Sequence, residues 1–111
     1  DLAHPLTVRR AVAFIDGACD QPISVVDMAR AASVTPRALQ LAFRRHLETT
    51  PLAYLRRVRL EAAHAELRTG DPGTTTVTAV GSRWGFPSPS RFAAHYREAY
   101  GCTPQETLRG R

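Results

Sequence analysis

Two stretches, TPRALQLAFRRHL at residues 35–47 and SPSRFAAHYREAY at residues 88–100, align with each other at an offset of 53 residues and decide the fold. Each opens on a hydroxyl residue, Thr35 or Ser88, suited to accept a hydrogen bond from the first turn of a helix. Proline follows in both, as Pro36 and Pro89, at the first helical position, where a missing N–H costs nothing. Leu39, Phe43 and Leu47 of the first stretch fall on Phe92, Tyr96 and Tyr100 of the second, a row at i, i+4 and i+8 that forms one buried stripe of a helix. Both stretches are therefore predicted to be helices with the same inward face.

Outward from these, the same offset relates Thr50-Pro51 to Thr103-Pro104, so two further helix starts recur in register. Upstream, Ser24-Val-Val-Asp27 has the form of a capping box and predicts a short helix ending near Ala32. Thr76 to Arg83 occupies the matching place in the second half, at an offset of 52. The turns between short and long helices are Ser33-Val34 and Gly85-Phe86, where Gly85 suits a positive φ and Phe86 can plug the corner. A short helix, a tight turn and a longer capped helix, twice over, is the layout of a helix-turn-helix. A duplicated α-hairpin that only packs is the bland alternative.

The predicted fold class is all-α, with about seven helices: two helix-turn-helix subdomains joined by a linker helix. The first subdomain takes residues 1–50 and includes an amphipathic helix from Leu6 to about Cys19, in which Val8, Ala11, Val12, Phe14 and Ile15 serve packing. The linker takes residues 51–69 and ends in the breaker run TGDPG at 69–73, and the second subdomain takes residues 70–111. Within the linker Leu55, Val58, Ala62 and Ala65 form one apolar stripe, while Leu60, Ala63 and Leu67 lie nearly opposite. Such a helix wants a neighbour on each side. At 1.5 Å per residue it spans roughly 27 Å, somewhat less than the ~34 Å between successive major-groove faces of B-DNA.

Composition narrows the partner. The 111 residues suit one domain, and 15 basic against 10 acidic side chains give a formal +5. That balance, with a pI near 10.2, favours a polyanion such as nucleic acid or an anionic membrane surface. All the basic residues are arginine, whose fork matches phosphate and guanine, although a chain without lysine or asparagine also fits the codon usage of a GC-rich genome. Cys19 and Cys102 stand apart without a CxxC pair, so neither a disulfide framework nor a zinc site is indicated, and a reduced, cytoplasmic protein is expected. No apolar run approaches the length of a membrane span and no leader opens the chain, while a start on Asp1 suggests a piece of something longer. His4, His46, His64 and His95 are scattered, so no catalytic set, metal or cofactor is expected.

With Leu39, Phe43 and Leu47 inward, the opposite face of the first long helix carries Arg37, Gln40, Leu41 and Arg44, with Arg45 at its margin. Arginine matches guanine O6 and N7, and glutamine matches adenine N6 and N7, so this face has groups suited to base readout. A solvated arginine face is the alternative. The same positions in the second long helix hold Ser90, Ala93, Ala94 and Arg97, a poorer set in which alanine offers a methyl contact to thymine. The two helices are therefore expected to read unequally. Thr35 and Ser88 at the helix starts, together with Arg45, Arg83 and Arg91, are candidate phosphate contacts.

These pieces together resemble the C-terminal domain of the AraC/XylS family of bacterial regulators, over about Val8 to Arg109. Those that carry it are Ser24-Val-Val-Asp-Met-Ala29, Leu39-Gln-Leu-Ala-Phe-Arg44, Pro51-Leu-Ala-Tyr-Leu-Arg56, Arg59-Leu60 with Ala63 and Leu67, Trp84-Gly-Phe86, Ser90-Arg-Phe92 and Tyr100-Gly-Cys-Thr-Pro104. The resemblance implies a linker helix between two units whose third and sixth helices enter successive major-groove segments of promoter DNA. It implies activation through contact with RNA polymerase, and a separate N-terminal sensor or dimerisation domain. Two positions depart from the family. Glu48 stands where a helix-ending glycine is usual, so a different turn is expected there, and Gly81 replaces a common alanine at ~1 kcal/mol of helix propensity, which suggests local mobility. Two other classes stay open: a helical protein-interaction module, and the DNA-docking domain of a larger repair enzyme.

Overall fold

The computed structural model describes residues 5–110, and His4 lies outside them. Seven α-helices occupy the described residues: α1 (Leu6–Ala18), α2 (Val25–Ala31), α3 (Pro36–Leu47), α4 (Pro51–Thr69), α5 (Val77–Arg83), α6 (Pro89–Tyr100) and α7 (Pro104–Leu108). The chain is all-α, as the two helix-turn-helix repeats predict. It forms two compact units, one up to Val58 and one from Arg59, so α4 gives its first turns to one unit and the rest to the other.

Hydroxyl caps set the helix starts. Thr35 Oγ1 accepts from the Ala38 N–H at 3.1 Å and Ser88 Oγ from the Arg91 N–H at 3.2 Å, each with proline in the first turn. Ser24 with Asp27, and Thr103 with Glu106, close reciprocal capping boxes on α2 and α7. The backbone and side chain of Ser24 both donate to Asp27, and these bonds hold its carboxyl below the usual carboxylate range.

The duplication runs further than the two long helices. Val8, Ala11 and Ile15 of α1 are buried, and 52 residues on, Leu60, Ala63 and Leu67 of α4 are buried in the same 3-4 spacing. The second half of α4 is thus the counterpart of α1. Met28 and Ala29 correspond to Val80 and Gly81, and Leu39, Phe43 and Leu55 to Phe92, Tyr96 and Leu108. Each unit has its own apolar core made from equivalent positions. Fully burying side chains of this size contributes about 1.5–3 kcal/mol each, so the repeated core is the main stabilising term of either unit.

Three local expectations change. Of the stripe assigned to Leu55, Val58, Ala62 and Ala65, only the first two pack in the core up to Val58, while Ala65 is exposed, because α4 passes from one core to the other at mid-length. Glu48 does not produce a different turn: it adopts the left-handed conformation, φ 55° and ψ 33°, that Gly101 adopts after α6 with φ 74° and ψ 5°. A glycine-type stop is made there by a residue with a Cβ. Gly81 is not a loose point but a close contact. A Cβ at Gly81 would stand 2.7 Å from Phe92 Cδ2 and 3.0 Å from Cγ, so α5 packs against an aromatic ring where α2 has Ala29 and α3 has the smaller Leu39.

The core from Arg59 onward also carries a polar thread. Tyr96 stands where Phe43 stands in the repeat; its hydroxyl donates to Thr107 at 2.7 Å and shares a 2.6 Å hydrogen bond with His64 Nδ1. His64 stacks on Tyr100, with ring centroids 4.2 Å apart. Desolvation first, and Arg68 second, hold the His64 ring below its ordinary value, so the neutral form is favoured.

Candidate nucleic-acid interface

The corner between short and long helix is built alike in both units. Ser33 and Gly85 both take positive φ, 60° and 85°. Val34 then donates to Ala29 O at 3.0 Å, and Phe86 to Gly81 O at 3.0 Å. The side chains of Val34 and Phe86 turn inward to their cores, and the Phe86 ring lies 4.9 Å from that of Phe92. A left-handed residue followed by an apolar plug is what turns α2 into α3 and α5 into α6.

Burial of Leu39 and Phe43, with Leu47 packed beside them, leaves the other side of α3 to solvent. Arg37, Gln40, Leu41, Arg44 and Arg45 are all exposed, Leu41 to 59%. No acidic residue lies between Pro36 and Leu47, so this face is uniformly positive. An exposed leucine between arginines and a glutamine gives it both hydrogen-bonding groups and an apolar contact.

On α6 the buried pair is Phe92 and Tyr96, with Tyr100 packed against the same core. Ser90, Ala94 and Arg97 are exposed, Ala93 is half-buried, and Arg91 is exposed near the helix start. The outward face of α6 is thus shallow, with one guanidinium on it, and Glu98 nearby reduces its charge. Thr35 is exposed and Ser88 half-buried; both hydroxyls accept from backbone N–H groups, which leaves each O–H free to donate outward.

Arg83 differs from the other candidates. Its guanidinium pairs with Glu66 Oε2 on α4, while Glu66 Oε1 accepts from the Trp84 indole N–H at 2.9 Å. Sequence reasoning left Glu66 and Arg59 out of the set. The two stand seven residues apart on α4 and so share a face, but the spacing does not say what that face meets.

Residues 28–110 match the helix-turn-helix domain family. The chain is 35% identical to the crystal structure of a probable AraC family transcriptional regulator from Rhodopseudomonas palustris, with a TM-score of 0.85 and coverage of 93% of this chain and 94% of that one. The chain belongs to the AraC/XylS family. It is a DNA-binding domain of the transcriptional-regulator type, not a catalytic one. Its resemblance extends to the probable thc operon regulatory protein of Rhodococcus erythropolis, 38% identical over 107 residues. That match covers 96% of this chain and 32% of the relative, so this AraC/XylS domain spans about a third of its length. The DNA-binding domain of AdpA, a global transcriptional factor solved in complex with a target DNA, superposes with a TM-score of 0.81 at 26% identity, over 95% of this chain and 92% of that one. Among the described residues, no helix is long and apolar enough to cross a membrane, and no cluster of His, Cys, Asp and Glu could hold a metal ion.

Proposed function

We propose that this domain reads an asymmetric promoter site in double-stranded DNA by placing α3 and α6 in successive major-groove segments. The observation that carries the proposal is the α3 face, with three exposed arginines and a glutamine, no acid, and a buried stripe directly behind it. Arg37, Gln40, Leu41 and Arg44 contact base edges, with guanidinium and amide groups matched to purines and Leu41 to a thymine methyl. On α6, Ser90, Ala93, Ala94 and Arg97 make the second, less discriminating set. Thr35, Arg45, Ser88 and Arg91 hold phosphates. Arg83 belongs with them through donors that Glu66 does not use, since a guanidinium carries five N–H groups.

The whole protein activates transcription through RNA polymerase and carries a further N-terminal domain that senses a ligand or dimerises, as the relatives' greater length supports. Arg37→Ala and Gln40→Ala test the base-reading assignment. Each lowers affinity for the selected site by ~1–3 kcal/mol and relaxes preference at particular base pairs. Equal losses on selected and random duplexes refute it. Binding that survives high salt unchanged points instead to apolar docking on another protein, because phosphate contacts weaken steeply with salt.

A further inference from the structure

Three consecutive residues at the corner of the second helix-turn-helix are held by side chains of α4. They are Arg83, the last residue of α5; Trp84, its C-cap; and Gly85, the turn residue with φ 85°. Glu66 binds the first two, with Oε1 on the Trp84 indole N–H and Oε2 on the Arg83 guanidinium. Arg59, seven residues earlier on α4, lies against the third. A Cβ at Gly85 would stand 3.1 Å from both Arg59 Cζ and Nη1.

Among the described residues, the matching positions of the first unit hold no such acid and guanidinium. At the matching positions stand Thr7 and Phe14 on α1, and Ala31, Ala32 and Ser33 at the corner. Phe14 packs on its apolar core, and Ser33 takes φ 60° with a side chain present. At Gly85 a Cβ would meet the Arg59 guanidinium in addition to a left-handed backbone.

We propose that Glu66 and Arg59 are positioning residues for the second recognition helix, fixing the angle at which α6 leaves α5 and thereby the base selectivity of that unit. The inference rests on the assignment of α6 as a DNA reader. The two outward faces explain why only one corner is clamped. Long arginine and glutamine side chains on α3 reach and adjust. Ala93 and Ala94 on α6 have only methyl contacts, and a gap of 0.5–1 Å already forfeits a quarter to a half of such an attraction. A short-range reader needs a fixed corner.

The test is selection of sites from a random duplex pool by this chain and by Glu66→Ala, Glu66→Gln and Arg59→Ala. Emission of Trp84, the sole tryptophan, and circular dichroism are followed alongside. Glu66→Gln keeps an oxygen for the indole and loses the charge that holds Arg83; Glu66→Ala loses both. The unaltered chain yields a two-segment motif. Glu66→Ala keeps base preferences in the α3 segment and lowers those in the α6 segment by about tenfold. Its Trp84 emission shifts to the red, and Glu66→Gln recovers part of both effects. Arg59→Ala, which removes the guanidinium lying against Gly85 and leaves Glu66 in place, produces the same selective loss and decides the matter should Glu66→Ala not fold. A merely stabilising role scales affinity for every duplex alike, and that outcome, or unchanged α6-segment preferences, overturns the proposal. Failure of the unaltered chain to yield an α6 segment overturns the assignment of α6 itself, and is visible before any variant is compared.

Discussion

Gly81→Ala separates local helix propensity from tertiary packing. In an isolated helix the change is favourable by ~1 kcal/mol, since alanine loses less backbone entropy than glycine. In this protein the added methyl would stand 2.7 Å from Phe92 Cδ2, 3.0 Å from Cγ and 3.3 Å from Cβ, and Phe92 is fully buried. Overpacking of that kind costs ~1–3 kcal/mol, so the net expectation is a loss of about 1 kcal/mol. Phe92→Leu recreates the partner that stands opposite Ala29 in the first unit. It costs ~1 kcal/mol alone through the space it leaves, but accommodates the methyl when combined with Gly81→Ala. The pair should therefore couple favourably by ~1–2 kcal/mol in a double-mutant cycle. Urea unfolding followed by Trp84 emission reads the unit in which both residues lie. Stabilisation by Gly81→Ala alone, with additive behaviour of the double variant, would refute the account of Gly81 as a packing position.

Glu48→Gly should raise the thermal midpoint, because relief of a left-handed residue with a Cβ is worth about 1 kcal/mol; a lower midpoint would show the side chain to be stabilising. Stability should fall on acidification below the ordinary histidine value of 6.5. The unfolded chain takes up the proton there while folded His64, with its value held lower, does not, so the contribution is complete above that pH and is lost as pH falls towards the folded value. Urea midpoints from about pH 8 to about pH 5, compared between the chain and His64→Gln, measure it, and identical pH profiles would remove His64 as the cause. Arg44→Ala should weaken the selected site by ~1–3 kcal/mol and relax preference at its contacted base pair, as competition binding with single-base variants will show.

Much of the architecture was legible because it is written twice. The four Ser/Thr-Pro pairs and the row Leu39, Phe43, Leu47 against Phe92, Tyr96, Tyr100 give helix starts and inward faces directly, and all are observed. The kinship of α1 with the second half of α4 was hidden because α4 is one uninterrupted helix. Its Leu60, Ala63 and Leu67 repeat the spacing of Val8, Ala11 and Ile15 with no break in the helix to mark where the second copy begins. The turn after α3 escaped because propensity disfavours a glutamate with positive φ, whereas the repeat itself, through Gly101, pointed to that conformation. Gly81 was misjudged for the opposite reason. Its helix propensity is a local property, while the neighbour that requires it, Phe92, is set by the tertiary fold. For the interface, periodicity placed Arg37, Gln40, Leu41 and Arg44 outward correctly. The clamp of Arg83 by Glu66 joins residues on two helices seventeen positions apart, and no single-helix pattern contains it.

Selection of binding sites from a random duplex pool by the unaltered chain tests the central claim most directly. Enrichment of a motif with two major-groove segments about ten base pairs apart, more sharply defined in the α3 segment than in the α6 segment, is the expected result. A motif confined to one segment, or two segments equally defined, would contradict the tandem and unequal readers assigned to α3 and α6.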